Sequence, residues 1–432
     1  MGTYAGKNVD IAIIGGGAAG LSAAVFACRE ARRFGKTIRL GVWEKAPRTG
    51  KKLLATGNGT CNLTNSEAAP SRYHQAEPTQ RGQAVLAQVL KAFPAAEARK
   101  FFSSIGVESV EKDRGRVYPL SLQAGAVLDC LRLTMAAQGA EEFCSRSVNA
   151  LLPVKKGWLL ETEEGTVQAR KVLVCCGGAA APALGGSADG YSLLARLGHT
   201  RTPLFPAIVQ VKTETELVRS LKGIRLDAGV RFCLDGRELA AETGELLFTE
   251  YGVSGPAVMQ ISRCVGDWER RRRGRLTVHL DLLPGWSAEQ AERCLAKRRE
   301  LAGRTREDYL TGFLQKRVGQ TLLRAAGLGP LARPAAELSD GEVRCLAALM
   351  KDWTLNVTGT QGFGGAQVTA GGILLEEFGA HTLESRLCPG LYAAGEVLDA
   401  DGDCGGFNLH WAWASAYAAA RGAVASLLNQ AD

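Results

Sequence analysis

In this 432-residue chain, Gly15-x-Gly17-x-x-Gly20 is the spacing with the plainest chemical consequence. An apolar run, Val9–Ile14, precedes it, and an alanine-rich helical stretch from Ala18 to Arg32 follows. The first glycine makes a tight turn, the second lets a pyrophosphate approach the backbone, and the third lets helix and strand pack closely. The helix start, at Ala18 and Ala19, offers free amides and a positive dipole end to the phosphates. A second strand, predicted over Thr37–Trp43, ends at Glu44, whose carboxylate can accept a hydrogen bond from a ribose hydroxyl. Strand, turn, helix, strand and terminal acid agree, so a dinucleotide site is expected.

A second glycine-rich strand-turn-helix lies near the other end of the chain. Leu391–Ala394 reads as a strand, followed by Gly395-Glu396, by Gly405-Gly406-Phe407-Asn408, and by an alanine-rich helix from about Leu409. Two such segments suit a long two-part ligand such as FAD. Amides at the second helix start would hydrogen-bond the flavin carbonyl near N1 and favour the anionic reduced ring. No other GxGxxG sits between a strand and an acid-terminated strand, so any NAD(P)H is expected to bind transiently, without a Rossmann domain of its own.

Three residues stand out for chemistry beyond the cofactor. His410, at the second helix start, is a proton donor or a packing residue, and the helix N-terminus favours its neutral form. Cys61 is a nucleophilic thiolate beside the cofactor or an inert buried thiol. Arg116 grips an anionic substrate or braces a turn. His74, His199, His279 and His381 lack acidic or cysteine partners at ligand spacing, so no metal site is expected, and no P-loop, GxSxG or HExxH pattern is present.

Around these residues the chain reads as a soluble α/β protein of two or three domains, 46% hydrophobic and 22% charged. The β-α-β order predicts a parallel sheet with right-handed crossover. We read residues 1–197 as the first part of an FAD-binding domain, whose buried Lys171–Cys176 strand ends at Gly177. Residues 198–285 read as a β-barrel-like insert, 286–352 as a helical insert, and 353–432 as the return to the FAD domain. Ser287 with Gln290 and Ser339 with Glu342 have capping-box spacing in the helical insert. Net charge is +8, a mild excess that draws anionic ligands without naming nucleic acid. The sharpest basic run, Arg270–Arg273 with Arg275, reads first as a solvated helix end. The 12 cysteines form no framework, and no secretory leader or membrane span is read, so a cytoplasmic protein is expected. The oligomeric state is not legible.

The loop Gly50–Asn65, with Gly115–Pro119, Pro203–Ala207, Leu247–Pro256, Thr358–Thr360, Ala366–Gly372, Gly395–Asp399 and Gly405–Trp413, resembles the BaiN-like, aminoacetone-oxidase-family flavoproteins over nearly the whole chain. The resemblance implies a Rossmann-type FAD domain built from both chain ends, with barrel and helical inserts. It implies that Gly15, Gly17, Ala18, Ala19, Gly20, Glu44, Lys45, Lys51, Lys52, Asn58, Gly59, Cys61 and Asn62 surround FAD. Cys176, Gly177, Gly395, Glu396, Gly405, Gly406, Phe407, Asn408 and Leu409 join them, and Val148 offers backbone to the adenine. Thr60, Cys175-Cys176, Phe407 and His410 depart from the residues usual in that family. The leading expectation is an FAD-dependent oxidoreductase acting on a small molecule, with NAD(P)H as reductant. A flavin oxidase, a flavin-containing RNA- or protein-binding module, and an NAD-only dehydrogenase are the alternatives.

Overall fold

The computed structural model describes residues 8–429, which fall into two compact units, residues 8–205 with 367–429, and Pro206–Ala366. In the first unit the apolar run becomes the strand Asn8–Ile14, buried along its second half because both faces are covered. It lies between Leu40–Glu44 and Gly165–Val174, both parallel to it. Glu141–Cys144 and Leu391–Ala393 extend the parallel set, pairing with Leu40–Glu44 and Gly165–Val174. The antiparallel Gly157–Thr162 and Val148–Val154 complete a seven-stranded sheet. The C-terminal segment thus supplies a strand to a sheet begun at the N-terminus.

Helix Phe407–Leu428 packs along helix Ala18–Arg33. Both helices are alanine-rich, and Ala23, Ala27, Ala414 and Ala418 are buried in one shared apolar core. Helices Gln80–Ala92 and Ala95–Ser103 follow each other as a hairpin, with Phe26, Phe93, Phe101 and Tyr417 in edge and tilted ring contacts. A three-stranded antiparallel sheet, Thr64–Asn65, Arg116–Pro119 and Ser109–Lys112, stands apart from the main one.

The second unit is a closed six-stranded barrel of Val211–Thr213, Gly252–Ser254, Arg237–Thr249, Arg225–Leu234, Leu276–Asp281 and Trp353–Thr360. Its core continues into helices Ala288–Arg298, Lys316–Ala325 and Asp340–Lys351, so barrel and helices share one apolar interior. Both capping boxes form. Trp353–Thr360, which the sequence placed with the return segment, closes the barrel between Leu276–Asp281 and Val211–Thr213. Its alternate residues Trp353, Leu355 and Val357 are buried, a period-two pattern that suits a strand of either unit.

Candidate functional site

Gly15 and Gly20 are fixed by backbone contact. A Cβ at Gly15, which has φ 103°, would meet the Cys175 carbonyl oxygen at 2.4 Å, and one at Gly20 would meet the Gly15 oxygen at 1.8 Å. Gly17 differs. It caps the first helix in extended conformation, and no protein atom lies within 4 Å of where its Cβ would stand. The amides of Ala18, Ala19 and Gly20 precede the first intrahelical bond, from Leu21 N to Gly17 O at 3.0 Å. Glu44 accepts hydrogen bonds from Gly16 N at 2.8 Å and Ala46 N at 2.7 Å, which aim its carboxylate at the turn and leave acceptor capacity free.

Across the first unit, Gly405 (φ 129°) and Gly406 (φ 101°) lead into the closing helix. The amides of Phe407, Asn408 and Leu409 precede its first bond, His410 N to Gly406 O. Asn408 closes the approach loop, accepting from Gly402 N at 2.9 Å and donating to Gly402 O at 2.7 Å. Asn65 donates to Gly405 O at 2.9 Å, and Tyr73 donates to the Phe407 carbonyl at 3.0 Å. Asn62, buried, directs an Oδ1 with no hydrogen-bond partner toward Gly406; a Cβ there would come within 2.7 Å of it. That orphaned acceptor beside unbonded amides, with open space at Gly17, Gly59 and Gly177, fits a two-part nucleotide cofactor.

The loop between carries left-handed Gly57, Asn58, Gly59 and Cys61, so its backbone curls tightly after the short helix Lys51–Ala55. Lys52 Nζ bonds Glu396 at 2.8 Å, and Glu396 also accepts from Thr369 N at 2.8 Å. Lys45 pairs with Asp189 at 2.8 Å. Val148 starts the edge strand and is buried, Cys176 donates its thiol to the Ile14 carbonyl, and Lys51 is exposed.

Two catalytic expectations do not fit this geometry. Cys61 is fully buried, and desolvation pushes its thiol up to about 12, which favours the inert neutral form over a thiolate nucleophile. His410 is also fully buried, stacked on Phe93, with Nδ1 bonded to Thr64 Oγ1 at 2.8 Å. Burial lowers its pKa to about 4, only partly opposed by the Phe93 carbonyl, with which Nε2 makes no well-formed hydrogen bond. The ring packs into the helical core, which suits a packing residue better than a proton donor.

Arg116 keeps its candidacy. Its Nε stands 3.7 Å from where a Gly405 Cβ would be, and its charge acts on the thiol of Cys404 in the same turn. Tyr118, two residues on, reaches the Gly57–Thr60 loop, with Cε1 3.7 Å from the Gly57 Cβ position. Tyr118 and Lys112 were not singled out in the sequence. Strand alternation from Arg116 was the available signal, and it becomes specific only once the register is known.

The parallel sheet, the two-ended glycine cradle and the crossover helix define a Rossmann-type fold of the FAD-binding class. The HI0933-like protein Rossmann domain family matches residues 9–422, and the chain belongs to that family. A 3-dehydro-bile acid delta(4,6)-reductase of Clostridium scindens is 37% identical over 96% of this chain and 98% of its own length, which bears out the kinship with BaiN-like flavoproteins. A ribosomal RNA dihydrouridine synthase of Escherichia coli is 29% identical over 97% of this chain and 99% of its own. Among solved structures, the 3-ketosteroid delta1-dehydrogenase of Sterolibacterium denitrificans superposes with a TM-score of 0.52 at 12% identity, covering 98% of this chain and 100% of that one, a likeness of fold alone.

Proposed function

We propose that the chain is an FAD-dependent reductase that adds hydrogen across a carbon–carbon double bond conjugated to a carbonyl in a small molecule, with NAD(P)H as transient reductant. The carrying observation is the cradle itself, two helix starts and an orphaned Asn62 acceptor in one unit. Two full-length relatives are named for hydrogenating ring double bonds, which points to the reaction class.

Bound FAD would supply hydride chemistry there. The Gly17–Gly20 turn would hold its pyrophosphate, Glu44 a ribose hydroxyl, and the Phe407–Leu409 amides the ring carbonyl near N1. Arg116, at the Gly405 turn, would hold an anionic group of the reductant or substrate beside the ring end of the cofactor. Cys61 and His410 contribute neutral bulk that keeps water out.

The test is anaerobic turnover of NADPH and NADH against matched conjugated and isolated unsaturated ketones. The reading requires oxidation of nucleotide with the conjugated member only. Nucleotide oxidation that runs solely with oxygen present would identify a flavin oxidase instead.

A second reading, in which the double bond belongs to a uridine in RNA, is favoured by the dihydrouridine synthase relative and by the exposed Arg271–Arg273 run at the end of helix Arg263–Arg271. Arg270 and Arg271 pair with Asp267, and Arg272 lies 3.7 Å from Glu269, so much of that charge is already engaged. Steep salt-dependent RNA binding, with a mass gain of two hydrogens per modified uridine, is the result this reading requires.

A further inference from the structure

Arg116 and Lys112 stand directly opposite each other in the antiparallel pair of Arg116–Pro119 with Ser109–Lys112. Directly opposed residues share a face, and like charges there are destabilising. Among the described residues neither cation has an acidic partner. Of the acids beside Lys112, Glu111 is turned to Ser66 and Arg99, and Asp113 lies in the turn that joins the two strands. Tyr118 lies on the same face by alternation, with the Lys112 ammonium 5.4 Å from its ring centroid, and among the described residues its hydroxyl bonds no protein group. This face adjoins both the Gly57–Thr60 loop, through Tyr118, and the Gly405 turn, through Arg116. A chain that tolerates two opposed, unpaired cations beside a cofactor cradle holds an arrangement that an anion would relieve.

We propose that Lys112, Arg116 and Tyr118 form a phosphate-binding subsite for a nucleotide substrate, separate from the GxGxxG cradle. Two facing cations and one hydroxyl donor suit a tetrahedral phosphate group, whose oxygens take donors from several directions, better than a planar carboxylate. The phosphate belongs either to a free dinucleotide reductant or to a nucleotide of RNA; both offer the same group. The location beside the ring end of the cofactor rests on the flavoenzyme reading, whereas the anion site itself rests on the opposed cations.

The test is calorimetric binding to the holoenzyme of NADP+, uridine monophosphate, inorganic pyrophosphate and, as the carboxylate probe, adipate. These are measured for the wild type, for Lys112→Met with Arg116→Met, and for Tyr118→Phe. The phosphate ligands are expected to weaken at least tenfold in the double variant and severalfold in Tyr118→Phe. The melting temperature of the ligand-free protein is expected to hold or rise, because the cation repulsion is gone. Tighter binding of NADP+ assigns the site to the free dinucleotide, and tighter binding of uridine monophosphate assigns it to RNA. Unchanged affinity in the double variant, a preference for adipate, no binding of any phosphate probe to the wild type, or a fall in melting temperature that marks the pair as structural would overturn the proposal. Flavin absorbance is read separately: a colourless wild-type protein that still binds pyrophosphate through Arg116 sinks the flavin reading and leaves the anion site standing.

Discussion

Lys52 Nζ lies 2.8 Å from Glu396 Oε2, joining two segments 344 positions apart in sequence. Both side chains are partly buried, and the second Glu396 oxygen is held by Thr369 N. The pair therefore ties the loop after the first glycine turn to the C-terminal strand end. Glu396→Gln is expected to cost about 1–2 kcal/mol in urea unfolding, because Lys52 loses a charged partner in a half-shielded place while the Thr369 bond survives. A double-mutant cycle with Lys52→Met should return a coupling near 1 kcal/mol; additive effects would mean that the contact carries no stability.

Gly17 and Gly20 make opposite predictions although they belong to one motif. Gly20→Ala drives a methyl into the Gly15 carbonyl and is expected to abolish the soluble fold. Gly17→Ala meets no protein atom and adopts an ordinary φ of −86°, so melting temperature should be nearly unchanged. Flavin content should fall at least fivefold in Gly17→Ala, because the methyl takes the space of the pyrophosphate. Full flavin occupancy in Gly17→Ala would place the cofactor elsewhere.

His410 and Asp399 impose opposed pH dependences. His410 has its pKa lowered from 6.5 to about 4 by burial, so its contribution to stability is intact above pH 6.5 and is lost as pH falls toward 4. Asp399 is buried and accepts hydrogen bonds from the Ala76 and Glu77 amides, yet desolvation raises its pKa from 3.8 to about 6. Its contribution is intact below pH 3.8 and is lost as pH rises toward 6. Each is on the order of 3 kcal/mol, so they largely cancel between about pH 4 and 6. Relative to wild type, His410→Gln should lose stability as pH rises through that window, and Asp399→Asn should gain it. Chemical denaturation at several pH values reads both.

The same His410→Gln variant separates packing from catalysis. With the ring enclosed by Phe93 and bonded to Thr64, turnover should change less than tenfold. A proton donor would lose about a hundredfold or more.

In the barrel unit, Ser339→Ala removes the acceptor for Glu342 N and the hydroxyl bond to Glu342 Oε2, while the backbone N–H of residue 339 still donates to Glu342. The expected cost is about 1 kcal/mol, measured by thermal unfolding.

The residues that were legible in the sequence are those whose role follows from local backbone geometry. Gly15 and Gly20 could be read because a tight turn after a buried strand dictates glycine there, and Gly17 because a pyrophosphate at a helix start needs the space of a side chain. The two capping boxes could be read because their partners are three residues apart. The facing of His410 could not: a helix start is visible in the sequence, but each residue turns by a fixed angle about an axis whose orientation is set by packing on Phe93 and Tyr417. The long hairpin Arg225–Leu234 and Arg237–Thr249 is hard to read locally, since much of its second strand is exposed and polar. Its Asp235-Gly236 turn, with φ 50° and 82°, is the local signal that marks it. Lys112 and Arg116 are four residues apart with nothing in the spacing to flag them; the register of a two-stranded turn brings them face to face.

The most direct test of the flavoenzyme account is the visible spectrum of the purified protein, followed anaerobically as NADPH or NADH is added. The account predicts bound-flavin absorbance near about 450 nm that bleaches on addition of nucleotide and returns with a conjugated unsaturated ketone. A protein that stays colourless after incubation with FAD would contradict it.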